Sequence, residues 1–305
     1  MNASGVACTT IQELDALTES AAGAYITKTG TIDPRDGNPR PRYWYNHERG
    51  TSQNAMGLPN NGLFYYIDWL VGRQPQAKKE GRLQFLSCAP MKGEDIPKIL
   101  KIIQESDFEG ITELNPSCPN IPGKSPIAFD PAQMLEMLEY IKANFKKPLG
   151  LKLPPYLDMA QMDAFAKMFN DYDLAHVNCC NSLVGTFIDT DGNTAIHANN
   201  GFGGIGGDPL YPVALMNVRK FREGLRPDIA VIGTGGVKDG ETALAHIYAG
   251  ADLIGIGTRL QEEGLGCFDR INEELRDLMR GKPEARSLDD LKRKVHVRDH
   301  HDIGM

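Results

Sequence analysis

Cysteine is scarce in this chain, and its spacing matches neither a disulfide framework nor a zinc site. Six cysteines occur in 305 residues. No two of them have the spacing of a CxxC pair, and Cys179 and Cys180 are adjacent. This pattern predicts free thiols, a reducing cytoplasmic location and no bound metal.

Long apolar runs and an excess of basic charge are also lacking. No apolar run approaches the about 20 residues that cross a bilayer. The first residues, Met1-Asn-Ala-Ser-Gly, do not have the pattern of a signal peptide. The 40 acidic residues outnumber the 33 lysines and arginines, which gives a net charge of −7. Nucleic-acid binding needs clustered positive charge, so we do not expect a nucleic acid as a partner. Because there is no long apolar run, we do not expect a membrane as a partner either.

Short apolar segments alternate with amphipathic segments along the whole chain. The apolar segments predict eight strands, which end near Ser4, Thr27, Cys88, Pro116, Leu153, Asn181, Thr234 and Thr258. Helical spacing of apolar residues predicts helices over 11–20, 95–106, 131–144, 159–170, 212–224 and 240–249. This alternation predicts a single α/β domain over residues 1–305, a (β/α)8 TIM barrel with long loops at its carboxyl-terminal face. An open doubly wound sheet is the alternative.

Two connections are longer than simple strand-to-helix loops. Residues 30–66 are rich in Gly, Pro, Asn and aromatic residues, and residues 183–212 contain the run Gly201-Phe-Gly-Gly-Ile-Gly-Gly. Loops of more than about 12–15 residues without strong structure of their own are usually functional. We therefore expect both connections to contribute to function.

A stiff polar loop follows the apolar segment Gly110-Ile-Thr-Glu-Leu and contains Cys118. Pro119 and Pro122 prevent this loop from forming a helix. The amides of Asn115 and Asn120 flank the thiol and can both donate and accept hydrogen bonds. An arbitrary cysteine is more often a small core residue. The loop position and polar neighbours of Cys118 instead indicate a group that transfers protons.

Two glycine turns in succession indicate a phosphate-binding site. Ile232-Gly-Thr-Gly-Gly-Val and Ile254-Gly-Ile-Gly-Thr follow the seventh and eighth predicted strands. Backbone N–H groups at such turns bind anions, and the loops after strands 7 and 8 of barrels frequently hold a phosphate. In either motif alone, glycine could simply end a strand for steric reasons. The two motifs in succession favour a cofactor that carries a phosphate. The spacing is not the GxGxxG of a nicotinamide site, which disfavours NAD.

Two lysines occur within otherwise apolar strands. Lys28 ends Tyr-Ile-Thr-Lys, and Lys152 lies in Leu-Lys-Leu-Pro. A single such lysine could point to solvent from the end of its strand. Burying an unpaired ammonium group is costly, so two lysines at the same barrel mouth favour contact with an anionic cofactor ring or a carboxylate.

The loop Asn115-Pro-Ser-Cys-Pro-Asn-Ile-Pro-Gly-Lys resembles the active-site loop of the class 1A dihydroorotate dehydrogenases, the soluble FMN enzymes of pyrimidine synthesis. Further blocks agree with this family in the same order along nearly the whole chain. They include Ala24-Tyr-Ile-Thr-Lys-Thr, Gly37-Asn-Pro-Arg-Pro-Arg-Tyr, Asn54-Ala-Met-Gly-Leu-Pro-Asn, Gly150-Leu-Lys-Leu-Pro-Pro-Tyr and Gln261-Glu-Glu-Gly. The family normally has more residues before Met-Asn-Ala-Ser-Gly, which implies that the first strand is short or that the chain is truncated there.

The resemblance implies a cytoplasmic homodimer that oxidises (S)-dihydroorotate to orotate in de novo synthesis of UMP. Cys118 would act as the general base and remove a proton from carbon 5 of the substrate. The hydride from carbon 6 would go to FMN, and fumarate would reoxidise the flavin and leave as succinate.

The resemblance also implies the binding residues. Those for the substrate are Lys28, Asn54, Met56, Gly57, Leu58, Asn115, Asn120, Asn181 and Ser182. Those for FMN are Ala3, Ser4, Gly5, Lys28, Thr29, Asn115, Lys152, Asn178, Gly203, Gly204, Gly235, Gly236, Gly257 and Thr258. Amides suit a planar pyrimidine because they offer both a donor and an acceptor.

Two other functions remain open. One is a dihydropyrimidine-type flavin oxidoreductase that acts on uracil or thymine and uses another acceptor. A cationic site for a substrate carboxylate favours orotate over uracil or thymine, which have no carboxylate. The other is a non-catalytic barrel that binds a flavin or a phosphate. Such a binding module would not need Cys118 as a base.

Overall fold

A curled sheet of seven parallel strands forms the centre of the protein. The computed structural model describes residues 1–117, 126–283 and 285–297. The parallel strands are β1 (Ala24–Ile26), β4 (Leu83–Cys88), β5 (Ile111–Leu114), β6 (Leu149–Leu153), β7 (His176–Cys179), β10 (Ala230–Thr234) and β11 (Leu253–Gly255). Their order in the sheet follows their order in the chain. A doubly wound sheet reverses its strand order, so that alternative is wrong and the predicted TIM-barrel class is confirmed.

The first residues connect the two edge strands of this sheet. Asn2 forms a parallel bridge with Ile256, just after β11. On its other side, the Asn2 side chain takes the place of a strand backbone: Nδ2 donates to the Ile26 carbonyl over 2.9 Å, and Oδ1 accepts from the Ile26 N–H over 3.0 Å. The Asn2 side-chain amide therefore satisfies both the N–H and the carbonyl group of Ile26 at the open edge of β1.

Helices cover the outside of the sheet. They are α1 (Ile11–Glu19), α2 (Leu63–Glu80), α3 (Asp95–Glu105), α4 (Pro131–Asn144), α5 (Met159–Phe169), α6 (Tyr211–Gly224), α7 (Gly240–Ala249), α8 (Thr258–Glu263) and α9 (Cys267–Arg280). The six predicted helices are all present, with ends that differ by at most one residue. We did not predict α2, α8 and α9. No helix in the described ranges is long and apolar enough to cross a membrane.

Capping side chains explain why several helices begin where they do. Thr10 and Glu13 form a capping box at α1, and Asp239 caps α7 by accepting from the Thr242 N–H over 2.8 Å. Asp130 and Asp158 likewise accept from N–H groups in the first turns of α4 and α5. These interactions satisfy donors that the first turn of a helix leaves without a partner.

The two long connections form a second, antiparallel sheet. Its strands are β2 (Tyr43–Asn46), β3 (Thr51–Asn54), β8 (Leu183–Gly185) and β9 (Gly203–Gly207), in the order β2-β3-β9-β8. We call it the upper sheet, because its residues line a cavity together with the carboxyl ends of the parallel strands. The two connections thus supply part of the wall of that cavity.

Candidate active site

A cavity of about 620 Å³ lies between the carboxyl ends of the parallel strands and the upper sheet. This volume is within the range of pockets that hold small molecules and cofactors. Most of the predicted site residues line it. They are Ala3, Ser4, Gly5, Lys28, Thr29, Asn54, Met56, Leu58, Asn115, Lys152, Asn181, Ser182, Gly203, Gly204, Gly235, Gly236, Gly257 and Thr258.

Two predicted site residues that the structure describes do not line the cavity, and two more lie outside the described residues. Gly57 lies between two residues that line the cavity. A Cβ at this position would lie 2.5 Å from Asn38 Oδ1, so Gly57 packs against Asn38. Asn178 is buried and donates from Nδ2 to Glu113 Oε2 over 2.8 Å. Cys118 and Asn120 lie outside the described residues.

Hydrogen bonds join the end of β5 to the neighbouring strands. Ser117 Oγ lies 2.8 Å from Asn115 Oδ1 and 3.1 Å from the Lys152 carbonyl oxygen. Asn181 Nδ2 donates to the same Ser117 oxygen over 3.1 Å. The segment that leads to Cys118 is therefore attached to both β6 and the end of β7. Sequence reasoning did not single out Ser117.

Lys28 and Lys152 bring two ammonium groups to the cavity. Lys28 is 5% exposed, and its Nζ lies 3.4 Å from the Gly5 carbonyl oxygen. Burial lowers the pKa of Lys28. Lys152 is 7% exposed, and none of the hydrogen bonds or ion pairs formed among the described residues includes its Nζ. A buried cation without a partner favours an anionic or electron-rich ligand beside it.

The ends of β10 and β11 form another part of the cavity wall. Gly235, Gly236 and Gly257 line it at this end, with Thr258 at the start of α8. His246 Nε2 lies 3.0 Å from the Gly235 carbonyl oxygen and holds that turn from below. Thr258 Oγ1 lies 2.8 Å from Ser52 Oγ, which ties this end to the upper sheet. This is the region where we predicted a phosphate site.

The glycine run in β9 has a packing role that we did not foresee. The resemblance implied that Gly203 and Gly204 bind FMN. At Gly204 a Cβ would lie only 1.9 Å from Ser182 Oγ, and at Gly203 it would lie 2.5 Å from the Asn54 carbonyl oxygen. The small residues therefore also let β9 lie close to β3 and to the end of β7.

Residues 1–279 match the family model described as dihydroorotate dehydrogenase. The chain belongs to the dihydroorotate dehydrogenase family. The resemblance to class 1A that we drew from the sequence motifs is thereby confirmed, since the curated relatives carry the corresponding names.

Relatives in this dihydroorotate dehydrogenase family are similar over almost their whole length. "Probable dihydroorotate dehydrogenase A (fumarate)" of Streptococcus pneumoniae is 49% identical over 299 residues, 98% of this chain and 94% of the relative. "Dihydroorotate dehydrogenase (fumarate)" of Saccharomyces cerevisiae is 49% identical over 298 residues, 97% and 94% of the two chains. "Dihydroorotate dehydrogenase A (fumarate)" of Lactococcus lactis subsp. cremoris is 48% identical over 284 residues, 92% and 90% of the two chains.

This member of the dihydroorotate dehydrogenase family also has cavity residues that sequence reasoning missed. Cationic and aromatic side chains from 30–66 line the cavity, as do residues near the ends of β10 and β11. They are Arg40, Arg42, Tyr43, Tyr45, Lys238, Arg259 and Gln261. The resemblance included Gly37-Asn-Pro-Arg-Pro-Arg-Tyr and Gln261-Glu-Glu-Gly, so those blocks were the available signal for most of them.

Proposed function

We propose that this protein is an FMN-dependent oxidoreductase that oxidises (S)-dihydroorotate to orotate and passes the electrons to fumarate. One observation carries the proposal: two buried ammonium groups, a set of amides and two strand ends of the phosphate-binding type border the same cavity. The near full-length relatives whose names specify dihydroorotate and fumarate support the substrate and the acceptor.

The residues of the cavity fit a flavin, the cofactor on which this family depends. The turn at Gly235 and Gly236 would hold the phosphate of FMN, together with Gly257 and Thr258. Lys152, which is buried and whose ammonium has no direct hydrogen-bond or ion-pair partner among the described residues, would lie at the electron-rich edge of the flavin ring. FMN, when bound, supplies the acceptor for the hydride. FMN suits the site better than NAD because the turn spacing is not that of a nicotinamide site.

The amide end of the cavity would bind the substrate. Asn54, Asn115 and Asn181 offer donors and acceptors that match the alternating N–H and C=O groups of a dihydropyrimidine. Lys28 would bind the carboxylate that distinguishes dihydroorotate from dihydrouracil and dihydrothymine. The backbone of Met56, Gly57 and Leu58 would complete this carboxylate site, with Asn120 and Ser182 as further substrate contacts.

Cys118 would remove the proton from carbon 5 of the substrate as a general base. It lies outside the described residues, but the chain that leads to it is fixed by Ser117, which contacts Asn115, Asn181 and the backbone of Lys152. The chain is thus fixed up to the residue before Cys118, and proton transfer depends on hydrogen-bond geometry at the base.

Two further properties of the proposal follow from the family resemblance. We propose a homodimer, which sedimentation velocity at several concentrations would test. We also propose a cytoplasmic location, in keeping with the free thiols of Cys8, Cys88, Cys179, Cys180 and Cys267.

An anaerobic half-reaction experiment tests the proposed activity. The purified protein should be yellow and release FMN, not FAD, on denaturation. Dihydroorotate should bleach the flavin absorbance, and fumarate should restore it while NAD should not. Bleaching by dihydrouracil but not by dihydroorotate would favour the dihydropyrimidine alternative. Bound flavin that no dihydropyrimidine bleaches would favour a binding module. A colourless protein that cannot be reconstituted with FMN would rule out the flavin site.

A further inference from the structure

A buried polar cluster lies inside the parallel sheet and contains an ionisable pair. Glu113 on β5 is 0% exposed, and His176 and Asn178 on β7 are 2% and 4% exposed. Glu113 Oε2 accepts from Asn178 Nδ2 over 2.8 Å and lies 3.3 Å from His176 Nε2. Barrel interiors are usually filled by bulky apolar side chains, so a carboxylate in this position requires an explanation.

The fold makes room for this cluster. A Cβ at position 150 would lie 2.2 Å from His176 Nδ1, so the imidazole ring lies against β6 where the residue is glycine. The ring of Phe85 packs edge-on against the other side of His176, with centroids 5.4 Å apart. Phe85 belongs to an apolar layer with Met1, Ala24, Ile26 and Ile232. The polar cluster therefore borders this apolar layer inside the sheet.

Lys152 is the cation of the cavity nearest to this cluster in strand register. It lies on β6, between Glu113 on β5 and Asn178 on β7, and it pairs directly with Asn178. Two strand residues further back on β6, Gly150 pairs with Glu113. Because side chains alternate between the two faces of a strand, Lys152 and Gly150 lie on the same face of β6. Lys152 is therefore one side-chain position closer to the cavity than Glu113.

The charge of Glu113 is favoured by its neighbours in spite of its burial. Burial alone would raise the pKa of Glu113, but the His176 hydrogen bond and charge, the Lys152 charge and the Asn178 hydrogen bond together lower it below its usual value. Its second oxygen, Oε1, has no hydrogen-bond partner among the described residues. Lys152, two residues beyond the register partner of Glu113, is a cation that can act on this carboxylate through space.

We propose that Glu113 is a positioning residue: its buried carboxylate is the counter-charge of Lys152 on the same inner face of the sheet, without a direct ion pair, and it reduces the positive potential that the Lys152 ammonium presents to the ligand. The proposal rests on the proposed function only where it refers to a flavin. If the proposal is correct, Glu113 and Lys152 together determine the electrostatic potential beside the cofactor.

A double-mutant cycle tests the pair on the stability of the protein. The variants are Glu113→Gln, Lys152→Met and the double variant, as full-length purified proteins compared at equal flavin content. Each single change leaves a buried charge without its partner, whereas the double change removes both charges. We expect the double variant to melt well above the temperature predicted by adding the two single losses.

A matched cycle with Lys28 provides the control. Lys28 is also buried at this cavity, but it follows β1, which β4 separates from β5 and Glu113. The losses from Glu113→Gln and Lys28→Met should therefore add. Additive losses for Glu113 and Lys152 as well would overturn the proposal. If Glu113→Gln alone does not fold, folding of the double variant supports the proposal, and failure of both contradicts it.

The midpoint potential of the bound flavin gives a second readout that a purely structural role would not change. Glu113→Gln removes a negative charge below Lys152 and should shift the potential to a more positive value, because the reduced flavin is the more negative form. An unchanged potential in the folded, flavin-bound variant would contradict the proposal. If no variant binds flavin, the proposed function fails while the stability cycles still decide whether Glu113 and Lys152 form a pair.

Discussion

Asn181 donates a hydrogen bond to Ser117 over 3.1 Å and thereby links the end of β7 to the end of β5. The same serine oxygen lies 3.1 Å from the Lys152 carbonyl oxygen on β6, which stands between these two strands. Three adjacent strand ends therefore converge on one hydroxyl group, immediately before the proposed base.

Ser117→Ala should slow the chemical step and leave cofactor binding intact. The change removes the hydroxyl that fixes the approach to the loop, and loss of about one hydrogen bond corresponds to a roughly tenfold lower rate of flavin reduction by dihydroorotate. Stopped-flow absorbance measures this rate, and fluorescence titration measures FMN affinity. Ser106→Ala, at the end of α3, is the matched control and should react normally. A normal rate in Ser117→Ala would show that the hydroxyl does not position the loop.

Cys118→Ala should prevent reduction of the flavin by dihydroorotate while FMN remains bound. A general base typically contributes 10²–10⁴-fold to such a step, so we expect a loss of about that size. Cys118→Ser should keep some activity only at high pH, because a hydroxyl is far less acidic than a thiol. Cys267→Ala, a buried cysteine in α9, is the control. A half-reaction in Cys118→Ala as fast as in the unmodified protein would refute the assignment.

Lys28→Met should affect the substrate more than the fold. Methionine keeps the apolar stem and removes a charge whose pKa burial already lowers. We expect a nearly unchanged melting temperature, together with a large rise in KM for dihydroorotate or a fall in the rate of flavin reduction. Steady-state kinetics and calorimetry on the same preparation measure both. An unfolded variant whose folded fraction reacts normally would make Lys28 a structural residue.

His246 should make stability depend on pH between about 4 and 6.5. Burial lowers the pKa of His246 to about 4, and only the hydrogen bond to the Gly235 carbonyl opposes this shift. The unfolded chain, with a histidine pKa of about 6.5, binds more protons in that window, so stability falls as the pH falls from 6.5 to 4. The full loss is about 3 kcal/mol. Below about pH 4 this contribution no longer changes.

Denaturant unfolding at several pH values measures this dependence. His246→Gln retains a donor for the Gly235 carbonyl but does not titrate, so its free energy of unfolding should fall less over the same pH range. His197→Gln alters an exposed histidine and should follow the unmodified protein. Equal slopes for all three proteins would exclude His246 as the source.

The sequence predicted those helices and strands that are specified by residues close together in the chain. Apolar residues at helical spacing predicted helices such as α3 and α5. α2 was missed because it follows the Gly- and Pro-rich residues 30–66 and itself contains Pro75. The strand β9 was missed because glycine has a low strand propensity and its partner β3 is far away in the chain.

The cavity was predicted more fully than the interior beneath it. Lys28 and Lys152 stood out because a charge interrupts an apolar strand. Glu113 carries the same kind of signal in Ile-Thr-Glu-Leu, but the strand pattern did not show that it faces His176 inside the sheet. The resemblance implied that Asn178 binds the cofactor, and its side chain donates a hydrogen bond to Glu113 inside the sheet.

The upper sheet also has a consequence for the order in which the protein folds. Asn54 on β3 and Gly204 on β9 are 150 residues apart in the chain, whereas neighbouring strands of the parallel sheet are much closer together in sequence. Contacts between such distant residues carry a large loop-closure entropy and form late. Helices and parallel strands can therefore assemble before the cavity has its upper wall. We expect a chain whose two connections have not yet met to bind its ligand weakly, because one wall of the cavity is then missing.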